Sequence, residues 1–220
     1  MGTATPAKRG RPLGPQDGRA RIIRAAARLF REKGFNGTTV REIAAASGMQ
    51  SGSLFYFFPS KEEMLLAVID QGMNQLQTVV AAAGKDASPE TGFRAMLRRH
   101  LEGILDRESD YMNVLLYEPR SFPASIVTPI RKLSREYEAM WEAQIEALIR
   151  EGRWRHPGDP RLVRMTLMGA LNWSAQWFRP NRGDSIEALT EVICELFLAP
   201  KPPAVPRENL KPGAKRTDKV

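Results

Sequence analysis

Apolar positions recur at helical spacing through almost all of residues 16–198. In residues 16–33, Ile22, Ala26, Leu29/Phe30 and Lys33 fall at i, i+4, i+7/8 and i+11, and the pattern stops at Gly34. Thr39-Val-Arg-Glu42 has the form of a capping box, in which the hydroxyl takes one free N–H and the carboxylate returns to another. Ser60-Lys-Glu-Glu63 has the same form. Ser88-Pro89 and Asp159-Pro160 each set an N-cap before a proline at the first helical position. These signals predict a short helix from Thr39 to about Ala46, and later helices near 61–83, 89–107, 110–118, 129–152, 160–178 and 185–198. The predicted fold class is all-α.

One stretch resists this reading. Residues 47–63 are SGMQSGSLFYFFPSKEE, with four aromatics in a row after Leu54. By propensity the run is a β-strand. No other alternating run offers it a partner, and a lone strand leaves its backbone groups unpaired. Gly48 stands where the Thr39 helix must turn, which glycine does at positive φ. A second short helix over 51–57 then follows. Ala44, Gly48 and Leu54 lie at offsets 0, +4 and +10. That is the spacing of a helix-turn-helix: a small residue where the helices touch, a glycine in the turn and an apolar anchor on the second helix. Leu54 and Phe58 lie four apart and are expected to pack inward against Ile43. Gln50, Ser51, Ser53 and Tyr56 are left for other faces.

Charge sharpens the picture. Residues 1–61 carry 11 Lys and Arg against 3 Asp and Glu, whereas residues 62–200 carry 16 against 20. A basic first quarter beside a mildly acidic body points to a polyanionic partner for the N-terminal part, although a solvated surface would also account for it. Residues 1–15 lack periodicity and read as a flexible basic arm, and residues 200–220 as a basic disordered tail. Lys8-Arg9-Gly10-Arg11-Pro12 contains R-G-R-P, the core of AT-hook peptides. Such a segment lays Arg9 and Arg11 along a narrow A·T-rich minor groove; the alternative is a solubilising tail.

The segment ARLFREKGFNGTTVREIAAASGMQSGSLFYFFPSKEEML, residues 27–65, resembles the TetR family of one-component transcriptional regulators. The matching residues are Gly34-Phe35, Thr38-Thr39, Ile43-Ala44, Gly48-Met49, Gly52 to Phe55 and Phe58 to Lys61. The resemblance implies a three-helix DNA-binding domain at 16–62 and a larger helical ligand-binding and dimerisation domain at 63–199. It implies operator DNA contacts from Thr39, Arg41, Gln50, Ser51, Gly52, Ser53, Phe55, Tyr56 and Lys61, with Arg9 and Arg11 added from the arm. Two residues depart from the family. Gln50 stands where serine usually caps the recognition helix. Phe55 stands where tyrosine usually donates to a phosphate; Tyr56 is one residue on, roughly 100° around the helix. Chemistry adds that Lys61 opens the next helix, where a phosphate would meet both an ammonium and a helix N-terminus, and that Arg41, near the start of the capped helix, is within reach of a phosphate or base edge; the alternative for each is a solvated surface cation.

The body is where an effector is expected. The run LMGALNWSAQWFRP, residues 167–180, resembles family members that answer to acyl-CoA thioesters. Trp173 and Trp177 share a helical face and Arg179 follows at its end. With Trp141 these are the candidate ligand contacts, the indoles for an acyl group or adenine and the arginine for a phosphate. The same helix could instead serve a dimer interface. The family pairs its last two long helices across a two-fold axis, so a homodimer through the helices near 160–178 and 185–198 is expected. Ile186, Leu189, Val192/Ile193 and Leu196/Phe197 form a wide apolar stripe there. Cys194 beside it reads as a buried small hydrophobe rather than a redox switch.

Other function classes lack support. The chain has no G-x-S-x-G, G-x-G-x-x-G, P-loop or H-E-x-x-H motif. His100 and His156 are its only histidines, with no Cys or acid at ligand spacing, so both read as structural or surface residues. No metal, cofactor or catalytic residue is expected. A single cysteine argues for a reducing compartment, hence the cytoplasm. No membrane span is expected, for want of about 18 uncharged apolar residues in a row, and no secretory leader. The expected function is a ligand-responsive DNA-binding regulator, a repressor released by a small molecule such as an acyl-CoA. The alternatives are an architectural DNA-binding protein or a helical enzyme without a recognisable motif.

Overall fold

The computed structural model describes residues 15–85, 88–106, 110–117, 122–156 and 158–200. Among these, helices account for nearly all regular structure; a single antiparallel bridge joins Trp154 to Leu198. Arg9, Arg11 and all of the predicted arm but Pro15 lie outside the described residues, as do residues 201–220 of the predicted tail.

Helix α1 (Pro15–Gly37) is long, but Gly34 breaks its helical geometry at φ 72, so the predicted stop is real. Helix α2 (Val40–Ser47) begins at the predicted capping box: Glu42 N–H donates to Thr39 Oγ1 at 3.3 Å, and Thr39 N–H donates to Glu42 Oε2 at 2.8 Å. It ends at Gly48, whose φ of 68 is left-handed and lets its N–H reach back to the last carbonyls. Helix α3 (Ser51–Phe57) follows directly, and Gln50 gives it no side-chain cap. The aromatic run is therefore helical.

Helix α4 (Lys61–Gly84) starts at Ser60, whose Oγ accepts from Glu63 N–H. It packs on α1 at its beginning and on the body further along. Helix α5 (Pro89–Leu105) starts at Ser88-Pro89 as expected and is the central member of the body. Its Phe93, Met96, Leu97, His100, Leu101 and Ile104 are all buried. Helix α6 (Asp110–Tyr117) is short and packs on both α1 and α4. It comes so near α4 that a Cβ on Gly72 would lie 2.9 Å from Tyr111 Cβ.

Helix α7 (Ala124–Arg150) corrects the expectation of a start at Pro129. Pro123 holds the N-cap and the helix is already formed when it reaches Pro129, which sits inside it. An internal proline removes one backbone bond without stopping a long, well-packed helix. Helices α8 (Pro160–Trp177) and α9 (Ile186–Phe197) complete the body, capped by Asp159 and Ser185. Both pack on α5. Between α7 and α8 the chain returns along the end of α9: Arg155 N–H donates to Phe197 carbonyl at 3.0 Å and Ala199 N–H to Arg153 carbonyl at 2.8 Å. No helix among the described residues is long and apolar enough to cross a membrane.

Candidate functional site

Two places carry the chemistry. The first is the outer face of α3. Leu54 is fully buried and Phe58, at the helix C-cap, is nearly so, under the Arg19 guanidinium at 4.9 Å. Phe57 packs against Gly18 of α1, where a Cβ would come within 2.9 Å of its ring. These contacts fix the roll of α3. Gly52, Ser53, Phe55 and Tyr56 consequently face outward, with Phe55 51% and Tyr56 83% exposed. Gln50 is exposed as well and Ser51 half-buried. The division into anchor and outward surface is thus the one read from the sequence.

The flank of α2 adds Thr39 and Arg41, both exposed. Thr39 is committed to the capping box, and its partner Glu42 is held at about 2 by the Lys33 ammonium at 2.6 Å and by Thr39. Lys61 needs correction. The sequence alone predicts an ammonium aimed at a phosphate. Instead Nζ donates to the carbonyls of Phe35 and Thr38, at 2.8 and 3.0 Å, and lies over the Phe35 ring. Together with the Thr38 hydroxyl, which donates to Leu29 and Gly34 carbonyls, it fastens the α1–α2 turn. The sequence reading also missed Arg21, which donates to the Ser47 carbonyl at the end of α2 and so ties α1 to the turn.

The second place is a cavity of about 390 Å³ inside the body, a size that suits a small ligand. Its apolar wall comes from Met73 and Leu76 of α4, Ile104 of α5, and Met112 and Leu116 of α6. The polar side is His100, Ser134, Tyr137, Glu138, Arg164 and Asn172. His100 Nδ1 lies 2.5 Å from the Tyr137 hydroxyl and Nε2 lies 3.2 Å from Asn172 Oδ1. Burial pushes the His100 imidazole down to about 4, against the pull of Asn172, so it is neutral near pH 7. Burial also raises the Tyr137 phenol. Arg164 is spoken for by two carboxylates, Glu142 at 2.8 Å and Glu138 at 3.3 Å.

None of the four expected ligand residues lines this cavity. Trp141 is fully buried one layer behind it, edge-on to His100 at 5.9 Å. Trp173 and Trp177 are 67% and 46% exposed on the far side of α8. Arg179 bends back to the carbonyls of Phe178 and Gln176, closing the end of its own helix. The exposed indoles join Leu162 on α8 and Val192 and Leu196 on α9 as large apolar groups facing outward, whereas the exposed Met165 also lines the cavity. Cys194 is fully buried and its thiol is pushed up to about 11 by that burial, as befits a core residue. His156 is exposed near the end of α9, bonded to the Leu196 carbonyl. No group of three or more His, Cys, Asp or Glu among the described residues could hold a metal ion.

This arrangement has relatives. Residues 22–68 match the family model described as bacterial regulatory proteins, tetR family, and residues 86–200 match tetracyclin repressor-like, C-terminal domain. The HTH-type transcriptional repressor KstR2 of Rhodococcus jostii is 28% identical over 187 residues, covering 82% of this chain and 89% of the relative. The crystal structure of superantigen PfiT is 35% identical, with a TM-score of 0.75 over 84% of this chain and 98% of that one. AibR, crystallised with isovaleryl coenzyme A and operator DNA, shares the fold at a TM-score of 0.71 and 24% identity, over 81% and 97% of the two chains. With its C-terminal match alone spanning more than half of its length, the chain belongs to the TetR family of bacterial regulators.

Proposed function

We propose that the chain is a homodimeric repressor that holds operator DNA through two copies of α3 and lets go when a small molecule enters the body cavity. The observation that carries this reading is shared structure. Helices α4 and α6 line the cavity, and the same two helices pack on α1, the support of the helix-turn-helix. Arg31 of α1 pairs with Asp110 of α6 at 2.9 Å. A molecule that resets α6 or α4 therefore resets α1 and with it the spacing of the two α3 helices. The effector must bind the released arrangement more tightly, or the equilibrium would not move.

On this reading Gln50, Ser51, Gly52, Ser53, Phe55 and Tyr56 meet the major groove, with Thr39 and Arg41 beside the backbone. Lys61 contributes the positive end of α4 while its ammonium braces the turn. Arg9 and Arg11 follow the minor groove. Residues 1–15 act as the arm, 16–62 as the DNA-binding unit, 63–199 as the sensing and pairing unit, and 200–220 as a basic tail. Trp173, Trp177, Val192 and Leu196 meet a second copy, which accounts for four large exposed apolar groups on neighbouring helices. Such a regulator works in the cytoplasm and performs no catalysis.

Acyl thioesters are the effector class we put first. KstR2 is a named repressor of similar length, and the AibR fold holds an acyl-CoA and DNA together. The test is footprinting on DNA upstream of the chain's own gene, repeated with acyl-CoA esters of graded length. The expected result is a two-fold symmetric protected site that is lost as one thioester is added. Protection that no thioester disturbs would discard the effector class. Absence of any protected site would discard autoregulation through an upstream operator.

A further inference from the structure

The polar side of the cavity says what kind of group it reads. Tyr137, His100 and Asn172 come from α7, α5 and α8 and meet only in the fold. Two hydrogen placements satisfy their distances. In one, Tyr137 donates to His100 Nδ1 and Nε2–H donates to the Asn172 oxygen, which leaves the Asn172 amide N–H groups unspent. In the other the Asn172 amide is turned, its N–H donates to Nε2, and Nδ1–H donates to the Tyr137 oxygen, which leaves the phenolic O–H unspent. Either way the array is uncharged and leaves two donors with no acceptor inside it: both amide N–H groups in the first placement, the phenolic O–H and the second amide N–H in the other.

Charge points the same way. Among the described residues Arg164 is the only cation lining the cavity, and it is paired with both Glu138 and Glu142. Glu138 lines the cavity too. An entering carboxylate would find no free counter-charge and one like charge, so it would lose hydration without return. The apolar lining, Met73, Leu76, Ile104, Met112, Leu116, Met165 and Met168, is hydrocarbon and thioether.

We propose that the relay Tyr137–His100–Asn172 selects an effector whose buried part is an apolar body bearing an uncharged oxygen acceptor, such as a ketone, ester or thioester carbonyl, over a carboxylate. This rests on the cavity being the effector site, and it deepens that reading by naming the group recognised. Any phosphates of the effector stay outside; Asn172 both lines the cavity and is exposed.

The experiment measures quenching of tryptophan fluorescence and loss of affinity for an operator found by footprinting. The probes share one carbon skeleton: a medium-chain methyl ketone, the fatty acid and the alkane. The ketone is expected to bind on the order of tenfold more tightly than the other two, one hydrogen bond's worth of discrimination against the alkane. In Asn172→Leu or Tyr137→Phe, whichever removes the free donor, the ketone should fall to the level of the alkane. Melting curves check that each variant folds; if Tyr137→Phe does not, Asn172→Leu and Asn172→Asp carry the comparison, the added charge weakening the acid further. Equal binding of ketone and alkane to the natural chain, or tighter binding of the acid, would overturn the relay while leaving the cavity as the effector site. If none of the three probes binds, and a Met112→Trp change that fills the cavity leaves thioester release untouched, the cavity reading itself fails and the relay with it.

Discussion

Single residues already make separable predictions. Gly48 sits at φ 68, where an L side chain is strained whatever space surrounds it. Gly48→Val should destabilise the DNA-binding unit by at least about 1–2 kcal/mol. Thermal melts should reveal the loss, with operator affinity falling alongside. A mutant with unaltered melting would contradict the turn. His100 makes a pH prediction. Its folded value is lowered from 6.5 to about 4 by burial, so between these values the unfolded chain binds the extra proton. The stabilising contribution is complete above about pH 6.5 and is lost as pH falls toward 4, by about 3 kcal/mol at most. Denaturant midpoints measured across that window should slope less steeply in His100→Gln. Equal slopes would mean that His100 is not held neutral.

At the scale of elements, α3 is the decisive one. Leu54 and Phe57 lock it from behind, so changes on its outer face should leave folding alone. Tyr56→Phe is expected to weaken operator binding by about 0.5–1.5 kcal/mol if the hydroxyl meets a neutral group, and by up to about 3 if it meets a phosphate. Phe55→Tyr should hold or strengthen binding, because it adds a hydroxyl to an exposed ring. Gel-shift titrations of both variants distinguish the faces. If Tyr56→Phe is silent while Phe55→Tyr abolishes binding, the roll assigned to α3 relative to DNA is wrong. The capping and turn signals for α2, α4, α5 and α8 were legible because each is a bond made within about four residues of the chain. The start of α7 was not: Pro129 looked like a first-turn proline, and only packing along the whole helix makes an interior one affordable.

The whole molecule adds two tests. Removing residues 1–14 takes away Lys8, Arg9 and Arg11 and no described core residue. Melting should be unchanged, affinity should fall, and the salt dependence of binding should flatten as fewer counterions are released. An unaltered salt slope would show the arm to be a bystander. Trp173 and Trp177, if they meet a second copy, make Trp173→Asp a dimer-breaking change. Sedimentation should then find monomers with intact helical content and weak operator binding. A stable dimer would move the interface elsewhere.

Local chemistry along the chain was enough to determine the helical class, the helix-turn-helix, the split of α3 into anchor and outer face, and the burial of Cys194. Each follows from periodicity or from caps and turns, which the chain meets in isolation as well as in the fold. Tertiary structure alone decided where the effector cavity lies and what lines it. Trp173 and Trp177 do share a face, but α8 is apolar on two sides, with Leu167 and Leu171 turned inward and the indoles outward. Periodicity reports that a face exists and cannot say which of two the core takes. Lys61 likewise reads as a free cation until the α1–α2 carbonyls are folded over it. His100, Tyr137 and Asn172 carry no local signature, because the partners lie 37 and 72 residues from the histidine and gain their meaning only when three helices bring them together.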